Sequence, residues 1–233
     1  TTLALGARAT TASTSAFCTN LPTKASDITA KLNDLTGKVT QAWSQQDQKL
    51  TADEAKVDQT VTADRARADA ERAADFAKLE AKATTDSEKQ AVTTYEATVK
   101  DAVSTRRAAY DAARQTFRDG VKSAITARQS TITGQMSTFQ SSASSALATA
   151  EASCASNATN GATIRQTLVA SLKSARQTFE SQRQADATVG NQVSQLAATR
   201  NTAFQTADQT FKNSMTTART ALKQAFGNKS STV

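Results

Sequence analysis

An apolar ladder with a step of eleven residues constrains this chain more than any other feature. Val99, Tyr110, Val121, Ile132, Ala143 and Cys154 are eleven apart; Val103, Ile125, Met136 and Leu147 form a second row, and Tyr95, Phe117, Phe139 and Ala150 a third. Eleven residues close three helical turns at ~3.67 residues per turn, so the rows keep one bearing along a straight or slightly right-handed helix. No proline lies between Asp86 and Cys154, and at ~1.5 Å per residue such a helix runs ~100 Å. A stripe of that length needs partners of equal length.

The same period recurs on both sides. Ile28, Val39, Leu50 and Val61 are eleven apart, with Leu32, Leu35, Trp43, Val57, Ala68 and Leu79 in adjoining rows, and Val193, Phe204, Met215 and Phe226 repeat the step near the C-terminus. Seven glycines and one proline leave few points of interruption. Hydrophobic residues make up 38% and aromatics 5%, while alanine alone supplies about a fifth. The core is therefore a narrow seam along helices that approach closely.

These signals predict an all-α fold: an elongated antiparallel three-helix bundle of very long helices with hendecad packing and an N-terminal extended arm. Residues 1–24 read as the arm, 25–227 as a single bundle with helices over about 25–83, 87–154 and 162–227, and 228–233 as a polar tail. Leu21-Pro22-Thr23 is read as the end of the arm, because proline suits a helix start and biases its predecessor toward extended backbone. Thr84-Thr85-Asp86-Ser87-Glu88 has the capping residues of a new helix, and Asn157 to Gly161 is a polar turn containing an N-x-T glycosylation pattern. Leu3 to Ala9 resembles the end of a secretory leader, whereas Phe17 is too large for the position before a lipidated cysteine at Cys18.

Short connections make neighbouring helices antiparallel, which brings the start of the first helix to the end of the second. Cys18 and Cys154 then meet, and a structural disulfide there indicates an oxidising compartment. The same folding sets Trp43 level with residues 127 and 128, with Ala124 and Ala127 making room and Arg128 beside the indole. It also sets Arg106 by Phe211 and Arg200 by Phe117, each guanidinium near a ring.

No histidine is present, which removes the commonest general base and metal ligand. No phosphate loop, metal-spaced cysteine pair or nucleophile elbow occurs, so neither a catalytic residue nor a cofactor or metal site is expected. No apolar run reaches the ~20 residues that span a bilayer. The net charge of +7 is uneven: acids exceed bases from Asp47 to Gln90, and bases exceed acids thereafter. Arg107, Arg114, Arg118 and Lys122 are the candidate contacts to an anionic polymer. Arg106 and Arg128 fall on the apolar stripe, which weakens any reading as specific nucleic-acid binding.

The sequence thus points to a non-enzymatic structural protein, extracellular or on the cell surface, that forms a homo-oligomer or filament. Leu3, Leu5 and Phe17 of the arm are the candidate connectors. The alternative is a monomeric rod-like binding module whose basic face contacts an anionic envelope polymer or a partner protein.

Overall fold

The computed structural model describes residues 15–185 and 189–227. Helix accounts for 96% of these residues, in four elements with no strand among them: α1 (Ala16–Lys82), α2 (Asp86–Ser156), α3 (Gly161–Ala185) and α4 (Val189–Gly227). The chain divides into two compact units where a single bundle was expected. Of the described residues, one unit contains 15–46 and 127–185, the other 47–126 and 189–227. Each unit draws on α1 and α2; α3 belongs to the first and α4 to the second.

In the first unit, Cys18, Leu21 and Ala25 of α1, Leu147 and Ala150 of α2, and Ile164 and Leu168 of α3 form one buried cluster. A disulfide joins Cys18 and Cys154, whose Cα atoms are 5.4 Å apart. Phe139 and Phe179 pack at 5.6 Å between centroids. The second unit gathers Phe76, Val99 and Val103 with half-buried Tyr95, Phe211 and Met215. Its Tyr110 and Phe204 rings stack 4.1 Å apart at an interplanar angle of 6°. Gly120 of α2 permits the close approach of α4, since a β-carbon there would lie 2.6 Å from Leu196 Cδ2.

Helix ends are set by local polar chemistry. Thr85 and Glu88 form a capping box: the Glu88 N–H donates to Thr85 Oγ1 at 3.3 Å, and Glu88 Oε2 accepts from the Thr84 and Thr85 N–H groups at 2.8 and 3.0 Å. Along the helices, threonine hydroxyls bond to their own backbone. Thr29, Thr40, Thr51 and Thr62, eleven apart on α1, donate to the carbonyls of Ala25, Thr36, Asp47 and Asp58 at 2.8 to 3.0 Å. This internal bond lets a β-branched polar residue sit in a helix.

Four boundary and packing expectations change. First, α1 begins at Ala16, so residues 15–24 are not arm; residues 1–14 and 228–233 lie outside the described residues. Ser15 caps α1, its Oγ accepting from the Cys18 N–H at 3.3 Å and its own N–H donating to the Ala158 carbonyl at 2.8 Å. Pro22 is inside the helix, where it cannot donate to the Cys18 carbonyl. That loss costs ~3 kcal/mol. Burial of Leu21 to 1% exposure offsets it, together with the packing of Phe17, Cys18 and Ala25 around it. Second, the expected helix over 162–227 is two elements, α3 and α4, on either side of 186–188, which lie outside the described residues.

Third, Leu35 and Val57 are each 48% exposed, because with Gln46 and Ala68 they form an exposed row beside the two half-buried rows of α1, Ile28, Val39, Leu50 and Val61 and Leu32, Trp43, Glu54 and Arg65. Fourth, Arg128 is exposed and makes no ring contact with half-buried Trp43 among the described residues. By contrast, Arg106 lies 5.1 Å from the Phe211 centroid and Arg200 lies 4.6 Å from that of Phe117.

Two substitutions test the start of α1 by thermal unfolding monitored by circular dichroism. Pro22→Ala restores a donor inside a formed helix and is expected to stabilise the protein by about 1 to 3 kcal/mol; a neutral result would place residue 22 outside the helix. Gly161→Ala is expected to destabilise by about 1 to 3 kcal/mol, because its β-carbon would strike Ser15 Oγ and Cβ.

Candidate functional site

Between Ala25 and Phe76, α1 has no fully buried residue. In the second unit the apolar contact is replaced by a series of ion pairs to α2. Lys122 Nζ meets Glu54 Oε2 at 3.0 Å. Arg118 forks onto the Asp58 carboxylate at 2.7 and 2.9 Å, and Arg65 onto Asp111 at 2.6 and 2.9 Å. Arg107 forks onto Asp69 with both distances 2.8 Å. Arg118 and Arg107 also donate to the Glu54 and Arg65 carbonyls at 3.3 and 3.4 Å. The α1 members advance by four, seven and four residues while their α2 partners step back by four, seven and four. Antiparallel helices sharing an eleven-residue period keep such pairs in step.

Beside this series runs an alternation of guanidinium groups and rings. Arg106 lies 5.1 Å from both Tyr110 and Phe211; Arg114 lies 5.7 Å from both members of the Tyr110–Phe204 stack. Arg200 reaches both Phe117 and Phe204. The quadrupole of each ring attracts the cation on its face, so cations and aromatics from α2 and α4 pack together where leucines would otherwise stand. Arg106 Nε also donates to Asp208 Oδ1 at 2.7 Å.

These contacts shift the carboxylates. Hydrogen bonds from Arg107 and Arg72 pull Asp69 down to about 2. Arg118 holds Asp58 below the ordinary carboxylate range, Arg65 does the same for Asp111, and the Tyr110 hydroxyl followed by Arg106 lowers Asp208.

The four bases singled out from sequence therefore do not form a free basic face. Arg107, Arg114, Arg118 and Lys122 each meet an acid: Asp69, Asp111, Asp58 and Glu54. Leu3 and Leu5 lie outside the described residues. Phe17, the third candidate connector, packs against the core cluster of its own unit, because α1 starts one residue before it. The sequence analysis placed an excess of acids between Asp47 and Gln90 but did not pair them with the bases of α2. The matched four-seven-four spacing of opposite charges was the available signal.

Among the described residues no group of three or more metal-ligating side chains could hold a metal ion, and no helix is long and apolar enough to cross a membrane. Compared with protein-family models, curated proteins and solved structures, the chain matches none.

The depressed aspartates fix the sign of an acid dependence. Their folded values lie below their unfolded ones, so their contribution is complete above the ordinary carboxylate range and is lost as pH falls toward 2. The thermal midpoint is expected to be insensitive to these groups above pH ~5 and to fall between pH ~4 and ~2. Asp69→Asn should lower the midpoint at pH 7 and reduce that acid slope; an unchanged slope would show that the Arg107 and Arg72 contacts are not kept in solution.

Proposed function

We propose that this chain is a non-enzymatic structural protein acting outside the cytoplasm, as a self-associating cell-surface or filament subunit. The observation that carries this reading is the cysteine pair, Cys18 with Cys154, held across a sequence separation of 136 residues. Such a bridge persists in oxidising surroundings and is rare where thiols are kept reduced. The same reading takes each unit by itself as antiparallel helices with hendecad packing. Its support is the in-step pairing of α1 with α2 and the absence of any exposed residue among the fourteen positions of the three α2 rows.

Self-association is assigned to the N-terminal arm, now limited to the residues before Ser15 and carrying Leu3 and Leu5. Phe17 is withdrawn from that role by its packing in cis. The rival role, a rod presenting a basic face to an anionic polymer, loses most of its surface to the α1 acids. It keeps one point of support, because Arg114 shares Asp111 with Arg65.

Deletion of residues 1–14 tests the assembly role, because it leaves the Ser15 cap and the cysteine pair intact. Sedimentation is expected to show loss of higher-order species, with helicity and thermal midpoint retained. Unchanged assembly would remove the arm as connector, and a large drop in midpoint would move the arm into the core of its own chain. Recovery of both cysteines as free thiols from unreduced native protein would overturn the extracytoplasmic assignment.

A further inference from the structure

Within the second unit, a cavity of about 290 Å³ is lined by residues of α1 and α2 and by Phe211 of α4. Val61 and Val103 contribute apolar surface to the lining, and Arg65, Arg72, Arg106, Arg107 and Arg114 contribute five guanidinium groups. The one carboxylate in the lining is Asp64, which accepts from Arg67 at 3.1 Å. We propose that this cavity binds a tetrahedral oxyanion of the phosphate type, gripped by the guanidinium groups of Arg72, Arg106 and Arg114.

The argument rests on a local imbalance. Five guanidinium groups draw on three carboxylates: Asp69 takes Arg107 and Arg72, Asp111 takes Arg65 and Arg114, and Asp208 takes Arg106. Two positive charges are left over inside a concave wall. Arg65, Arg72, Arg107 and Arg114 have side chains only 23 to 30% exposed, so water screens that excess poorly. Each guanidinium has five N–H donors. Asp69 and Asp111 are already engaged by the two-bond forks of Arg107 and Arg65, and Arg114 gives Asp111 one bond of 3.4 Å. Planar forks with unengaged donors suit the oxygens of a tetrahedral anion. At ~30 Å³ per water, the cavity has room for one such group with several waters.

This site is independent of the arm and of any assembly. Its test uses the full chain at low ionic strength, titrated calorimetrically with inorganic phosphate and, separately, with linear polyphosphate. Saturable binding is expected, weakened about tenfold or more by the double variant R72Q/R114Q, which keeps the pairs of Arg65, Arg107 and Arg106. Arg176→Gln, on α3 and paired with Glu180, is the control and should leave binding unchanged. Polyphosphate displaced by excess inorganic phosphate identifies the isolated group as sufficient; polyphosphate that resists displacement identifies a polymer-borne phosphate as the ligand. Binding that rises linearly without saturation, or falls equally in Arg176→Gln, would overturn the proposal. Should the double variant lose helicity, Arg114→Lys keeps the charge and removes the fork; unchanged phosphate binding in that variant would equally overturn it.

Discussion

The second unit depends on arginine being used as a packing residue. A guanidinium has an apolar face that lies on a ring and a polar edge that reaches a carboxylate, so one side chain serves seam and surface together. Arg106 does this between Phe211 and Asp208, with Tyr110 beside it. Alanine-rich helices bring their axes close and leave little room for a thick hydrocarbon core. Long flat cations with aromatic partners fill such a seam, and the carboxylates of α1 balance them from the opposite side. Glu54, Asp58, Arg65 and Asp69 thereby replace the buried apolar row that α1 lacks. Exposed ion pairs contribute little individually, but partly shielded, two-bond pairs repeated in register also define how the helices align.

The first unit is held by a different chemistry. There the contacts are aliphatic and covalent, with Leu21, Leu147, Ile164 and Leu168 around the bridge between Cys18 and Cys154. That concentration of apolar burial explains how α1 tolerates Pro22 in its second turn. Glu88 acts locally at the start of α2: 1% exposed, it is buried because its carboxylate satisfies donors that precede the helix.

Much of α2 was legible because an eleven-residue step is unambiguous when no glycine or proline cluster interrupts it. Val99, Ala143 and Leu147 are buried to 4% exposure or less. The cysteine pairing followed from helix lengths and antiparallel connection, and the contacts Arg106 to Phe211 and Arg200 to Phe117 from the same folding arithmetic. Three features were harder to read. A proline looks like a stop unless the burial of its neighbour Leu21 is known, and that depends on α2 and α3. Leu35 and Val57 carry the right chemistry but lie on a row outside the two half-buried rows of α1. The candidate site was read as four free bases because charge was counted along α2 alone; the acid partners of Arg107, Arg118 and Lys122, namely Asp69, Asp58 and Glu54, stand on α1, and that of Arg114 is Asp111 on α2 itself.

The bridge between Cys18 and Cys154 also decides how this molecule bears a pull. Force applied to the chain on either side of the bridge reaches Cys18, crosses the sulfur link to Cys154 and leaves through α3 and α4. The 135 residues between the cysteines form a covalent loop outside that path. Nearly all of α1 and α2 is therefore shielded from tension, and only the chain before Cys18 and after Cys154 can pay out. Reduction would add the whole helical hairpin to the extensible length. The chain thus pays out a shorter length when the bridge is oxidised than when it is reduced.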